Sequence, residues 1–420
     1  MTANLVIYLI MKVKSIVIIF LFFLTSFTSN DERILRNEND FRLGNEVLIS
    51  RFHNMLEGKR IGLITNKSGV MKDGTLFLDE ISRQYNVTKI FSPEHGLRGD
   101  DNESDFTDPV TGIPVISLYG PKKKPDPADL ENTDVLVYDI QDVGARFYTF
   151  INTMYYCIES AVENNKEVII CDRPLIPDGK YFDGFILDEE VSSFVGMINV
   201  PAAYGMTCGE LANYINSEYF FNKCRLNTAM MENYSHETDY GSLNLTWVRP
   251  SPSIYFPSSA VSYLGTCLFE GTNFSEGRGT DKPFEYVGAP YCDGDQLAAE
   301  MNSLNLSGVR FESISFTPSS ITSPSNPPKY VGELCRGVFI NVTDKKIYEP
   351  VKTGIALLVS LYKLFPEFEI KKNNFIDKLA GTSSLRKMIV SGKSYNKIID
   401  SYRDQLEIFR TKRENYLLYK

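Results

Sequence analysis

Short apolar runs alternate with longer amphipathic stretches through the first half of the chain. Arg60–Thr65, Val87–Phe91, Ile113–Leu118, Asp134–Tyr138 and Val168–Ile170 have the length and β-branched content of strands. Between them, Leu76–Tyr85 and Thr149–Asn164 carry their apolar residues at helical spacing. Several short buried strands separated by helices predict a Rossmann-like, mostly parallel sheet with helices on both faces, an α/β class. From about Pro201 the pattern changes. Thr207-Cys208-Gly209-Glu210 predicts a helix start, with Thr207 as N-cap and Glu210 at the third helical position. Val309–Phe316 and Gly337–Val342 read as strands joined by a Ser/Pro-rich segment at 317–328, and Pro350–Leu364 and Tyr402–Tyr416 read as helices. The expected organisation is an α/β domain over 46–200 and a smaller α+β domain over 201–420, with the site in the cleft between them.

Three polar knots stand out against this pattern. Ser92–Asp100 holds Pro93-Glu94-His95-Gly96, and the run from Tyr138 to Thr149 holds Asp139, Gln141, Asp142, Arg146 and Tyr148. The third, Glu270-Gly271-Thr272-Asn273-Phe274-Ser275-Glu276-Gly277-Arg278-Gly279-Thr280, interleaves glycines with charged and hydroxylated residues. Neither helix nor strand favours that composition, which suits a tight loop bringing polar groups close to a ligand. Glu94, Asp139, Asp142, Asp172 and Arg173 each follow a predicted strand, and in open α/β sheets the ligand crevice lies beyond the carboxyl ends of the strands. Residues far apart in sequence are therefore expected to converge on one edge. Glu94 beside His95 is the first candidate for general acid catalysis, and Asp139 and Asp142 are candidates for a second carboxylate.

Composition narrows the classes. The 420 residues are 43% hydrophobic and 23% charged, an ordinary globular balance. A net charge of -9 argues against nucleic acid or an anionic membrane surface as the main partner. The N-terminus runs from basic Met11-Lys12-Val13-Lys14 through apolar Ile16–Leu24 to small polar residues ending at Ser29, the order of an export signal. The apolar run falls short of the ~20 residues that span a bilayer, so a cleaved signal over 1–29 is expected, with an uncleaved anchor as the alternative. A polar linker over 30–45 follows. Seven scattered cysteines form no Cys-x-x-Cys pair, and neither a dinucleotide Gly-x-Gly-x-x-Gly turn nor a P-loop is present, so no cofactor or metal is expected.

Taken together, Pro93-Glu94-His95-Gly96, Asp139–Thr149, Asp172-Arg173-Pro174 and Glu270–Thr280 resemble the exo-acting β-N-acetylmuramidases of peptidoglycan recycling, from about Lys59 to Tyr419. The resemblance implies a glycosidase releasing terminal β-linked N-acetylmuramic acid, with Glu94 as the acid and Asp139 or Asp142 as nucleophile, base or electrostatic partner. Gln141 would bond sugar hydroxyls and Arg146, near Tyr148, would pair with the lactyl carboxylate. Asp172, Arg173, Glu270, Asn273, Glu276 and Arg278 would hold the sugar. The chain departs from the family pattern at Leu175, Tyr204, Met230–Tyr234 and Ser253, which read as lost contacts to the sugar or its carboxylate. Two rival classes remain. One is a non-catalytic exported glycan-binding protein. The other is a metal-dependent hydrolase with Glu94, His95, Asp139 and Asp142 as ligands, although no His-x-x-x-His is present and Asp293-Gly294-Asp295 lies outside the polar knots.

Overall fold

Strand β1 (Ile61–Thr65) is buried at every residue because it pairs in parallel on both sides, with β2 (Val87–Ser92) and β5 (Val135–Asp139). With β3 (Phe106–Thr107), β4 (Pro114–Ser117), β6 (Glu167–Cys171) and β7 (Arg225–Ala229) these strands form a seven-stranded sheet in the order β3-β4-β2-β1-β5-β6-β7. All pairings are parallel except the β3 edge, which runs antiparallel to β4. The strands are apolar on both faces for a reason visible in β5. Val135 and Val137 enter one buried cluster with Phe77, Leu78 and Ile81, while Leu136 and Tyr138 enter another with Phe150, Met154 and Leu211. Successive side chains of a strand point to opposite faces, so a sheet covered by helices on both sides needs both alternations apolar.

The computed structural model describes residues 40–99, 104–321 and 327–419. Residues Arg42–Lys420 make one compact unit, and Met1–Phe41 separate as another, of which residues 40 and 41 are described. The expected signal at 1–29 therefore lies outside the described residues, as do most of the linker and Asp100. The end of the linker, Gly44 and Asn45, opens a helix, Gly44–Arg51. A Cβ at Gly44 would stand 2.2 Å from the backbone nitrogen of Asp172, so only glycine lets this helix approach the sheet edge.

The smaller second sheet comprises β8 (Tyr286–Ala289), β9 (Val309–Phe316) and β10 (Cys335–Val342), all antiparallel in the order β8-β10-β9. Helices Pro257–Thr266 and Pro350–Leu364 pack beside it, crossing closely where Gly265 meets Gly354. The capping box at Thr207 is present, its hydroxyl accepting from Glu210 and the Glu210 carboxylate accepting from the Thr207 N–H. Strand β7 was not legible in the pattern. Its Arg225, Asn227 and Thr228 suit the solvent-facing edge it occupies rather than an apolar run. All seven cysteines are buried and unpaired. Among the described residues no helix is long and apolar enough to cross a membrane.

Candidate active site

Chain order makes β1 and β5 the switch point of the sheet: β2 and β4 extend one way from it, β6 and β7 the other. Glu94 lies two residues beyond β2, on this carboxyl edge, in a turn that places His95 at φ 73 and Gly96 at φ 70. A non-glycine residue in the left-handed region costs energy and persists only where its surroundings hold it. The turn aims the half-buried Glu94 carboxyl into a cavity of about 280 Å³, at the small end of ligand pockets and suited to one sugar ring. Thr149, the residue before helix Phe150–Glu163, donates its hydroxyl to Glu94 Oε2 at 2.7 Å and fixes the carboxyl's direction. The His95 ring meets Phe150 edge-on at 6.2 Å.

The glycine-rich loop supplies the far side. Gly277 (φ 78) and Gly279 (φ 81) take left-handed conformations, and a Cβ at Gly279 would stand 2.3 Å from the Ser319 carbonyl. That tight path brings Arg278 to the cavity wall, where its Nη2 donates to Glu270 Oε1 at 2.5 Å. Arg278 Nε stands 3.2 Å from Glu276 Oε1, an ion-pair distance without hydrogen-bond geometry. Lys329 closes the row, 2.5 Å from Glu276 Oε2. Burial works to raise the Glu276 pKa, but the charges of Lys329 and Arg278 outweigh it and hold the carboxyl below its usual range. For Arg278 burial works downward and the two glutamates prevail, so its charge is secured. Tyr148 also lines the cavity. Its hydroxyl sits near Ser251 without a hydrogen bond of good geometry, and burial pushes its pKa up.

Of the residues expected to converge, Glu94, His95, Tyr148, Glu270 and Arg278 line this cavity, and Glu276 lies behind Arg278. The others do not reach it. Asp139 is engaged by Arg173 at 2.7 and 2.8 Å and by Asn45 at 3.1 Å, a buried ion pair within the sheet edge. Asp142 receives the Tyr204 hydroxyl and the Gly144 N–H, and burial pushes its pKa to about 6. Gln141 donates to the carbonyls of Asp142 and Pro174 at 2.9 and 2.8 Å. Arg146 is wholly interior, donating to the carbonyls of Phe185, Val200 and Leu379 at 2.6, 2.8 and 3.1 Å. Asp172 accepts from Thr207, Gly209 and Tyr419. Asn273 clamps the loop to Glu367 and Glu369 through backbone contacts. Strand-end polar residues had two possible uses, ligand binding and joining segments, and these side chains are engaged in the second.

Of the departing positions, Leu175, Tyr204, Met231, Tyr234 and Ser253 are buried, whereas Met230 and Asn233 are exposed. The Leu175 N–H donates to the Tyr234 hydroxyl at 3.2 Å, so two of them touch each other. Sequence reasoning missed Tyr119, Lys123, Thr149, Phe194 and Tyr263 on the cavity wall. Thr149 had been read as the end of a polar knot and the start of a helix, not as a site residue. Among the described residues no three His, Cys, Asp or Glu side chains gather as a metal-ligand set.

Two carboxyl groups, Glu94 and Glu270, stand on the wall of this cavity, and a pair of carboxyl groups is what glycoside hydrolases use. Comparison with known proteins makes the class specific. The N-terminal and C-terminal models of exo-beta-N-acetylmuramidase NamZ match residues 61–258 and 261–419. The peptidoglycan beta-N-acetylmuramidase NamZ of Bacillus subtilis (strain 168) is 42% identical over 384 residues, covering 90% of this chain and 91% of the relative. Crystal structures of two DUF1343 family proteins from Bacteroides fragilis superpose with TM-scores of 0.84 and 0.75 at 32% and 36% identity. Each match covers 91% of this chain, with 100% and 99% of the respective structures covered. The chain belongs to the exo-β-N-acetylmuramidase NamZ family.

Proposed function

We infer that this chain is an exo-acting glycoside hydrolase that releases terminal β-linked N-acetylmuramic acid from the non-reducing end of peptidoglycan fragments. The observation that carries the reading is the Glu94 carboxyl, directed by Thr149 into a cavity sized for one sugar whose wall also holds the Glu270–Arg278 pair. Glu94 protonates the leaving glycosidic oxygen. Glu270, held by Arg278, is the second carboxylate and faces the positive charge that develops on the sugar ring in an oxocarbenium-like transition state. Asp139 and Asp142, already engaged within the protein, are assigned to holding the sheet edge instead.

The test is release of free N-acetylmuramic acid from the natural muramyl-glucosaminyl disaccharide, run beside the same assay on a glucosaminide. Release from the first and little from the second is the expected result. Sugar binding without any release would make the chain a glycan-binding protein. We also propose that the basic-then-apolar segment ending near Ser29 directs export. An N-terminus that still begins at Met1 or Met11 on the exported protein would refute its cleavage.

A further inference from the structure

Arg278 is tied to the protein along one edge of its guanidinium. Nη2 donates to Glu270 Oε1 at 2.5 Å, and Nε stands 3.2 Å from Glu276 Oε1, sealed in the interior without a hydrogen bond. Nη1 has no hydrogen-bond partner among the described residues and, unlike Nε, is not sealed. The side chain keeps 11% of its surface exposed and lines the cavity. A guanidinium carries five N–H donors in a fixed plane, so pinning one edge on carboxylates aims the other, with the two N–H groups of Nη1, away from them. Phe284 steadies the plane from one side, its ring centroid 4.9 Å from Cζ.

Charge and the neighbouring wall narrow what that edge can hold. The guanidinium already answers two carboxylates, Glu270 and Glu276. A third carboxylate would enter with its desolvation poorly repaid, and an ammonium would be repelled. A neutral carbonyl oxygen costs far less to desolvate and gains a charge-assisted hydrogen bond. Beside Arg278 the wall is aromatic. Phe284 meets Tyr263 edge-on at 4.7 Å and Tyr263 meets Phe147 edge-on at 5.2 Å, and all three line the cavity. A carbonyl acceptor joined to a methyl group suits both features, and on the sugar that is the 2-acetamido group, borne on the carbon next to the bond that breaks. We propose that Arg278 Nη1 donates to the 2-acetamido carbonyl while the methyl group rests on the Phe284 and Tyr263 rings, so that the site selects the N-acetylated sugar over the free amine. This rests on the muramidase reading given above. It gives Arg278 a binding role beside its hold on Glu270 and leaves proton transfer to Glu94.

The experiment measures equilibrium binding of two free sugars, N-acetylmuramic acid and muramic acid, to the unaltered protein and to Arg278→Lys. Lysine keeps a positive charge for Glu270 but lacks the planar fork that presents Nη1. The unaltered protein should bind the N-acetylated sugar at least about tenfold more tightly than the amine. Arg278→Lys should weaken that sugar roughly 10- to 100-fold and change the amine by less than about threefold, so that the preference largely disappears. Equal weakening of both sugars would mean that Arg278 only shapes the site, and an unchanged preference would mean that another group reads the acetamide. Either result overturns the assignment. Release of N-acetylmuramic acid from the natural disaccharide by the unaltered protein, measured alongside, keeps the two readings apart. With release present, those results overturn the Arg278 assignment alone. Neither release nor binding of either sugar would overturn the muramidase reading and this assignment with it.

Discussion

At the scale of single residues, Glu94 and Asp139 began as candidates for different roles, the general acid and the second carboxylate, each an acid just past a predicted strand. Their surroundings separate them. Asp139 has an arginine and an asparagine on its carboxylate, whereas Glu94 has one threonine hydroxyl and a cavity in front of it. Glu94→Gln keeps the shape and the bond to Thr149 but removes the transferable proton. It should lower turnover on the natural disaccharide about 10²–10⁴-fold. Substrate KM and the thermal unfolding midpoint should stay close to those of the parent. Near-normal turnover would move the acid to Glu270. A chromogenic phenolate would hide the effect, since a good leaving group needs little protonation, so the measurement must use the unactivated sugar.

At the scale of elements, the helix Cys208–Phe220 shows how one cap serves two purposes. The Thr207 hydroxyl accepts from the Glu210 N–H at 3.3 Å and donates to Asp172 Oδ2 at 2.7 Å, so the helix start is tied to the end of β6. Thr207→Ala removes both bonds and should cost roughly 1–3 kcal/mol in denaturant unfolding. Thr207→Ser should recover most of it, and an alanine variant as stable as the parent would show that the cap carries no weight. The last residues bind at the same point. Tyr419 donates to Asp172 Oδ2 at 2.7 Å and accepts from the Met231 N–H at 2.9 Å, fastening the C-terminus to β6 and the segment after β7. Tyr419→Phe leaves the ring packed but the two partners unsatisfied, and should cost roughly 1–3 kcal/mol by the same measurement. Unchanged stability would mean that water replaces the hydroxyl.

For the whole molecule, burial of carboxyl groups sets the response to pH. Asp142, Asp172 and Asp183 are pushed up to about 6, in each case because desolvation outweighs the hydrogen bonds they accept. An unfolded aspartate titrates near ~3.9, so between these values the folded protein keeps protons that the unfolded chain has released. From these groups, stability is fully present below about pH 4 and is lost as pH rises through about 6. Asp108 acts in the opposite sense. Burial opposes its charge, but Arg98 and Thr111 prevail and hold it at about 2, so its contribution is lost only as pH falls from about 4 toward that value. The thermal midpoint is therefore expected to be higher at about pH 5 than at about pH 7.5, and to drop again below about pH 3.5. A steady decline from neutral pH downward would contradict the buried-aspartate account.

Much of this was legible in the chain itself. Parallel strands β1, β2, β5 and β6 and the helices Phe150–Glu163 and Pro350–Leu364 follow from periodicity, because a residue's neighbours along the chain dictate which face it presents. The capping box at Thr207 and the glycines of the 270–280 loop are equally local, and the motifs around Glu94 and Arg278 marked the site's two ends. Tertiary structure alone decided which polar residues face the cavity. Arg146 and Asp172 look as functional in sequence as Arg278, yet they meet carbonyls and hydroxyls from positions far along the chain, such as Leu379 and Tyr419. Local sequence sets conformation, whereas the burial and partners of a charge depend on segments brought together only by the fold, and those partners decide whether the charge is spent on structure or left for a substrate.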